Sequence, residues 1–157
     1  MAIRYQGKGG KRMTEKDLYK YRDAKREEER ARLKLLEFEV QYGAPRAALG
    51  SPTLPNHGGD PTARIVADVE RYNVLMQKVE SAVREVNVAE IRLDAARSHI
   101  FRDTDIRVFD ALYYGWSEGK RVVFPTVLQA SRRLAYSTSS VYKARKRILA
   151  LLSPVSA

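Results

Sequence analysis

The fold is decided by the stretch TVLQASRRLAYSTSSVYKARKRILALL, residues 126–152 of a chain of 157 residues. Ser137 is a residue type that caps helix N-termini, and apolar or small residues recur three and four apart both before and after the joint at 135–137. This pattern predicts a short helix over about 126–134, a tight joint at 135–137, and a second helix after the joint. Two short helices joined in this way are typical of a helix-turn-helix.

The spacing also predicts which side chains of the two helices face inward. These are Leu128, Ser131 and Leu134 in the first helix, Tyr136 in the turn, and Val141, Ala144 and Ile148 in the second helix. The opposite face then combines hydroxyls, one aromatic ring and several bases, which suits close approach to a DNA groove. The candidate DNA-binding residues are Arg132, Arg133, Ser137, Thr138, Ser139, Tyr142, Lys143, Arg145, Lys146 and Arg147. We expect Lys143 to reach a guanine edge, and Lys146 to meet a phosphate.

The charge of the chain is concentrated at its two ends. The formal net charge is +10, from 29 Lys and Arg against 19 Asp and Glu. Residues 1–12 carry four basic residues and no acid, and residues 119–157 carry eight basic residues and no acid. Residues 13–118 hold all 19 acids and a net charge of −2. A near-neutral body with basic ends indicates a localised polyanion-binding surface, with DNA as the favoured partner and a protein as the alternative.

Two long helices are predicted before the basic unit. The first begins at the N-cap Thr14, with Asp17 placed for a capping box, and runs to about Tyr42. The second begins after the N-cap Asp60, over about 61–98. Its apolar residues follow a heptad seam, namely Ile65, Val69, Tyr72, Met76, Val79, Val83, Val86 and Leu93. The simplest arrangement is an antiparallel hairpin of the two helices. The alternative is a hairpin whose seam also joins two copies of the chain.

The predicted fold class is all-α, with a long antiparallel helical hairpin and a C-terminal helix-turn-helix. The expected domains are a flexible basic arm at 1–13, the hairpin at 14–98 with a Pro/Gly linker at 43–60, the DNA-binding unit at 99–152, and a tail at 153–157. Within the DNA-binding unit, Thr104 is expected to cap a further helix that ends near Gly115.

The segments ALYYGWSEG, residues 111–119, and FPTVLQASRRLAYSTSSVYKARKRI, residues 124–148, resemble region 4 of bacterial sigma factors. With the two long helices and the linker, the chain resembles phage late-gene transcriptional activators of the RinA/ArpU type. The resemblance implies a transcriptional activator that binds double-stranded promoter DNA and recruits host RNA polymerase in the cytoplasm of the host cell. Two other classes stay open: a small terminase-like DNA-packaging subunit, which would form a ring, and a helical protein-interaction scaffold.

Several other classes are disfavoured by composition. The chain has no cysteine and only two histidines: His57 has no neighbours that would orient it, and His99 lies near a predicted helix C-terminus, where it suits a capping or dipole contact better than a role as a base. We therefore expect no metal, no cofactor and no enzymatic activity. No run of 18 apolar residues is present, so we expect neither a membrane span nor membrane association.

Overall fold

A computed structural model describes residues 12–43 and 61–155 of the chain. Its elements in chain order are α1 (Glu15–Leu18), α2 (Lys20–Tyr42), α3 (Pro61–Arg97), α4 (Asp103–Phe109), a π-helical turn (Asp110–Tyr114), β1 (Trp116–Glu118), β2 (Arg121–Val123), α5 (Val127–Leu134) and α6 (Thr138–Leu152). The described part is therefore mostly helical, as predicted. The basic arm over 1–11, nearly all of the 43–60 linker with the N-cap Asp60, and the last two residues of the tail lie outside the described residues.

The described residues form two compact units, which do not coincide with the predicted domains. One unit contains residues 12–23 and 87–155, and the other contains 24–43 and 61–86. The predicted boundary at 98/99 thus differs from the division in the structure, because α1 and the last part of α3 group with the C-terminal elements.

The first predicted helix begins where its capping residues indicate. The Asp17 carboxylate accepts hydrogen bonds from the Thr14 backbone N–H at 2.8 Å and from the Thr14 hydroxyl at 3.1 Å. The helix is not continuous to Tyr42 as predicted: α1 ends at Leu18, and Tyr19, with φ −78° and ψ −5°, is its C-cap. This residue separates α1 from α2.

In the unit formed by residues 24–43 and 61–86, aromatic residues join α2 to α3. The rings of Phe38 and Tyr72 lie 6.0 Å apart, and the Tyr72 hydroxyl donates to Glu39 at 3.1 Å. The seam residues of α3 within this unit are all buried or half-buried, as their heptad spacing predicts. They are Ile65, Val69, Tyr72, Met76, Val79, Val83 and Val86.

In the other unit, α4 and α5 both pack against α6. Its largest fully buried side chains include Tyr113, Phe109, Leu18, Ile148 and Leu152. The predicted cap Thr104 lies inside α4, one residue after the helix begins at Asp103, so the prediction of this helix start was wrong by about two residues. The run of helical residues ends at Tyr114, next to the predicted stop at Gly115.

The expectation of an all-α fold was wrong for residues 116–123, which form an antiparallel hairpin of β1 and β2. Trp116 pairs with Val123, and Glu118 pairs with Arg121. Gly115 leads into the hairpin with φ +71°, and a Cβ at this position would lie 2.4 Å from the Val123 carbonyl oxygen. Only glycine fits such a close approach in this backbone conformation.

Among the helices of the described residues, none combines the length and apolar character that a bilayer crossing requires.

Candidate nucleic-acid interface

Helix α6 begins after Ser137, the cap predicted for it, and α5 begins at Val127, one residue after the predicted start at about Thr126. The Thr126 hydroxyl accepts from the Gln129 backbone N–H at 3.3 Å, and the Gln129 side chain accepts from the Thr126 backbone N–H at 3.0 Å. Ser137 accepts from the Ser140 backbone N–H at 3.1 Å at the start of α6. Serine and threonine side chains thus satisfy amides that the helices leave without partners, and they fix both helix starts.

The joint between α5 and α6 is a left-handed turn at Ala135, which has φ 57° and ψ 35°. The Tyr136 backbone N–H donates to the Ser131 carbonyl at 3.0 Å and closes the turn. Tyr136 itself is half-buried, so it contributes to the core only in part.

The inward face of α6 is the one predicted from its spacing. Val141, Ala144 and Ile148 are completely buried, and Leu152 extends this face by one turn. In α5, Ser131 is buried and Leu134 is half-buried, but Leu128 is 50% exposed. The inward assignment of Leu128 was therefore wrong, since Ala130 takes the fully buried position of α5.

The opposite face of α6 is exposed and contains no acid. Its exposed residues are Thr138, Ser139, Tyr142, Lys143 and Lys146, which we call the α6 face. Because the buried side of the helix is anchored by α4 and α5, this face is held on a fixed support. The positive end of the helix dipole lies at the same end as Thr138 and Ser139, where an anion is favoured.

Among the described residues, neither Lys143 nor Lys146 has an ion-pair partner, and the same is true of Arg132 on α5. The three cations are exposed, so their charge is available to a ligand.

Arg145 is placed differently from the lysines. Its guanidinium donates two hydrogen bonds to the Glu15 carboxylate, at 2.6 and 2.7 Å. The Tyr19 and Tyr113 hydroxyls donate to the same carboxylate at 3.1 and 3.3 Å. Burial raises the pKa of Glu15, but these hydrogen bonds and the charge of Arg145 outweigh burial and hold the pKa below its ordinary value. Arg145 therefore has a structural partner within the protein.

Arg147 is likewise bound to an acid. Its guanidinium donates to Asp105 at 2.8 to 3.3 Å, and the Asp105 side chain is only 2% exposed. Hydrogen bonds to this carboxylate raise the pKa of Arg147, and burial lowers it by less. The pair joins α6 to α4 and satisfies a carboxylate that would be costly to bury alone.

Arg133 lies against the hairpin. Its guanidinium carbon lies 4.1 Å from the centroid of the Trp116 ring, which is a cation–π geometry. The contact couples the end of α5 to β1. A cation–π contact does not neutralise a guanidinium as an ion pair does, so the contact is compatible with a phosphate beside Arg133.

The structure thus divides the predicted DNA-binding residues into three groups. The α6 face and Arg132 are exposed without ion pairs in the described structure, whereas Arg145, Arg147 and Arg133 contact Glu15, Asp105 and Trp116. Ser137 serves as a helix cap. Sequence reasoning missed these three partners. The only signal was indirect: because residues 119–157 contain no acid, any acidic partner of their cations within the chain has to come from an earlier segment.

Among the described residues, no cluster of three or more His, Asp or Glu side chains has the arrangement of a metal site. No protein-family model matches the chain, and neither a curated protein nor a solved structure matches it. The resemblance to sigma region 4 and to the RinA/ArpU-type activators therefore stands on the sequence segments alone.

Proposed function

We propose that this chain is a DNA-binding protein in which α5, the turn at Ala135 and α6 act as a helix-turn-helix, with α6 as the recognition helix. The observation that carries the proposal is the α6 face itself. Hydroxyls, one aromatic ring and two lysines lie together on an exposed helix face, while the opposite side of the helix is fully buried. Such a helix is presented rigidly and fits a major groove.

The charges that remain available support DNA as the ligand. Arg145 and Arg147 are paired with acids, yet the region still presents Lys143, Lys146 and Arg132 without ion pairs among the described residues. Thr138 and Ser139 at the helix start suit a phosphate, through both their hydroxyls and the helix dipole. In this proposal Lys143, one turn further along, contacts a base edge, and Lys146 contacts the next phosphate.

The biological role that we propose is activation of transcription. This part rests on the resemblance to RinA/ArpU-type activators, which implies promoter DNA and host RNA polymerase as partners. The unit formed by residues 24–43 and 61–86 would supply an antiparallel helical hairpin as a separate protein-contacting body. The contacts of Phe38 and Glu39 with Tyr72 support this pairing of α2 and α3.

The experiment is selection of bound duplexes from random DNA with the purified full chain, followed by a transcription assay on a promoter that carries the selected sequence. We expect one enriched motif and stimulated transcription. Enrichment without stimulation, in a protein whose mass in solution is that of a ring, would favour the packaging class. Absence of any enriched motif, together with absence of salt-dependent retention on DNA, would contradict DNA binding and favour a scaffold.

A further inference from the structure

The hairpin of β1 and β2 ends in an exposed turn. Glu118 pairs with Arg121, so Gly119 and Lys120 form a turn of two residues between the strands. Gly119 has φ +63°, and the space where its Cβ would lie is open to 4 Å. Residues 117–121 are all exposed. Two strands of this length are marginally stable by themselves, so the hairpin depends on contacts at its base.

The base of the hairpin is attached on both strands. On the side of β1, the Trp116 ring lies beneath the Arg133 guanidinium, 4.1 Å from its carbon. After β2, the Phe124 ring packs edge-on against Tyr21, with the centroids 6.2 Å apart, and Pro125 is buried. The hairpin is therefore held on the same unit as α5 and α6.

Arg133 also sets the position of the hairpin relative to α6. It lies four residues before Ser137, the N-cap of α6, so the Cα atoms of the two residues are at most about 14 Å apart. The major groove of B-DNA is about 12 Å wide and has a phosphate backbone along each edge. When α6 occupies that groove, the base of the hairpin therefore lies close to the backbone at one edge.

The hairpin and its anchor present positive charge. Among the described residues, neither Lys120 at the tip nor Arg133 at the base has an ion-pair partner. The hairpin contains one acid, Glu118, which accepts a hydrogen bond from the Trp116 indole at 3.2 Å and lies across from Arg121. Since a strand rises about 3.4 Å per residue, the tip lies about 10 Å beyond Trp116, and the two cations can meet different phosphates.

We infer that the hairpin is a second DNA-contacting element, with Lys120 at its tip and Arg133 at its base bound to backbone phosphates at one edge of the groove occupied by α6. The inference rests on the proposed function of α6 and adds a contact to it. The ligand is the phosphate backbone of the same duplex. Such contacts fix the orientation of a protein on DNA and carry no base information. An acidic protein surface is the competing ligand.

The test measures the slope of log Kd against log salt concentration for the full chain on the selected duplex and on an unrelated one. The hairpin variants are Lys120→Gln, Lys120→Gln/Arg133→Gln and Glu118→Gln. The matched controls are Lys78→Gln and Glu80→Gln, which make the same charge changes at exposed positions of α3 in the other unit. All variants keep the α6 face, and thermal unfolding verifies that each is folded.

We expect Lys120→Gln to lower the salt slope by about one unit and to weaken binding to both duplexes about fivefold at moderate salt. The double variant should lower the slope by about two units. Glu118→Gln should tighten binding about twofold or more, because the carboxylate repels phosphate, whereas glutamine keeps an acceptor for the Trp116 indole. The two α3 controls should bind as the unchanged protein does.

Unchanged slopes and affinities in all three hairpin variants would overturn the inference and leave the α6 assignment standing, since that assignment is tested at Lys143 and Lys146. Unchanged DNA binding together with lost stimulation of transcription would overturn it in favour of an acidic protein partner. Equal changes in the α3 controls would also overturn it, because they would indicate a general effect of net charge. Absence of salt-dependent retention of the unchanged chain on either duplex would overturn this inference together with the proposed function.

Discussion

The carboxylate of Glu15 is bound by the guanidinium of Arg145 through two hydrogen bonds, at 2.6 and 2.7 Å, although the two residues are 130 positions apart in the sequence. Through this pair, a four-residue helix near the start of the chain is joined to the long C-terminal helix. Arg145 was one of the predicted DNA-binding residues, and this pair engages its charge within the protein.

Replacement of Glu15 by Gln should lower the free energy of unfolding by about 1–2 kcal/mol, because the charge-assisted bonds to Arg145 are lost while the shape is kept. The matched control is Glu27→Gln, which removes a pair with Arg30 in which both side chains are more than half exposed. The control should cost about 0.5 kcal/mol or less. Chemical denaturation measures both. Equal losses would mean that the Glu15 pair contributes no more than a surface pair.

The same pair predicts a dependence of stability on pH. The pKa of Glu15 in the folded protein is below 4.5, its ordinary value in the unfolded chain. Its stabilising contribution is therefore complete above pH 4.5 and is lost as the pH falls through the folded-state pKa. The difference in unfolding free energy between the unchanged protein and Glu15→Gln should shrink from about pH 7 to about pH 3. A difference that stays constant over this range would contradict the lowered pKa.

The pair of Asp105 and Arg147 predicts an asymmetric effect of mutation. Arg147→Ala leaves a carboxylate that is 2% exposed without its cation, and should cost about 2–3 kcal/mol of stability. Asp105→Asn leaves an arginine that is 39% exposed and can be hydrated, so it should cost about 1 kcal/mol. Thermal and chemical unfolding give both values. If Asp105→Asn lowers the free energy of unfolding by more than Arg147→Ala does, the buried, unpaired carboxylate is not the main cause of the lost stability.

The Arg147→Ala variant also distinguishes a structural role of this residue from a role in DNA binding. In the folded Arg147→Ala variant, the salt slope of DNA binding should stay as it is in the unchanged protein, because this side chain is already held by Asp105. A slope lowered by about one unit would show that Arg147 leaves its partner to contact phosphate.

The buried seam of α3 is tested by the same substitution at two valines of this helix, one buried and one exposed. Val79 is 7% exposed and Val74 is 49% exposed. Val79→Asp should cost about 3 kcal/mol or more, because it buries an unpaired charge, whereas Val74→Asp should cost less than about 1 kcal/mol. Thermal unfolding followed by circular dichroism measures both. Similar losses would mean that the seam does not form the core of this unit.

Local features of the fold were predictable from the sequence. The caps Thr14 and Ser137 set helix starts by bonds to residues within three positions, so adjacent sequence contains the information. The inward face of α6 followed from the three-and-four spacing of Val141, Ala144 and Ile148, which are all completely buried.

Very short elements and contacts between distant parts of the chain were not predictable. The β-hairpin is two strands of three residues each, too short for an alternating pattern to distinguish it from a loop. The partners of Arg145 and Arg147 lie far away in the sequence, and no spacing rule connects them. For the same reason the boundary between the units was missed, since α1 joins the C-terminal unit through Glu15 and Met13.

The central claim, that the α6 face reads DNA, is tested most directly by the affinities of Lys143→Ala and Lys146→Ala for the selected duplex and for an unrelated duplex in one buffer. We predict that Lys143→Ala loses about 1–3 kcal/mol on the selected duplex only, so that discrimination falls. Lys146→Ala should weaken binding to both duplexes alike and lower the salt slope by about one unit. Unchanged affinities for both duplexes in both folded variants would contradict the claim.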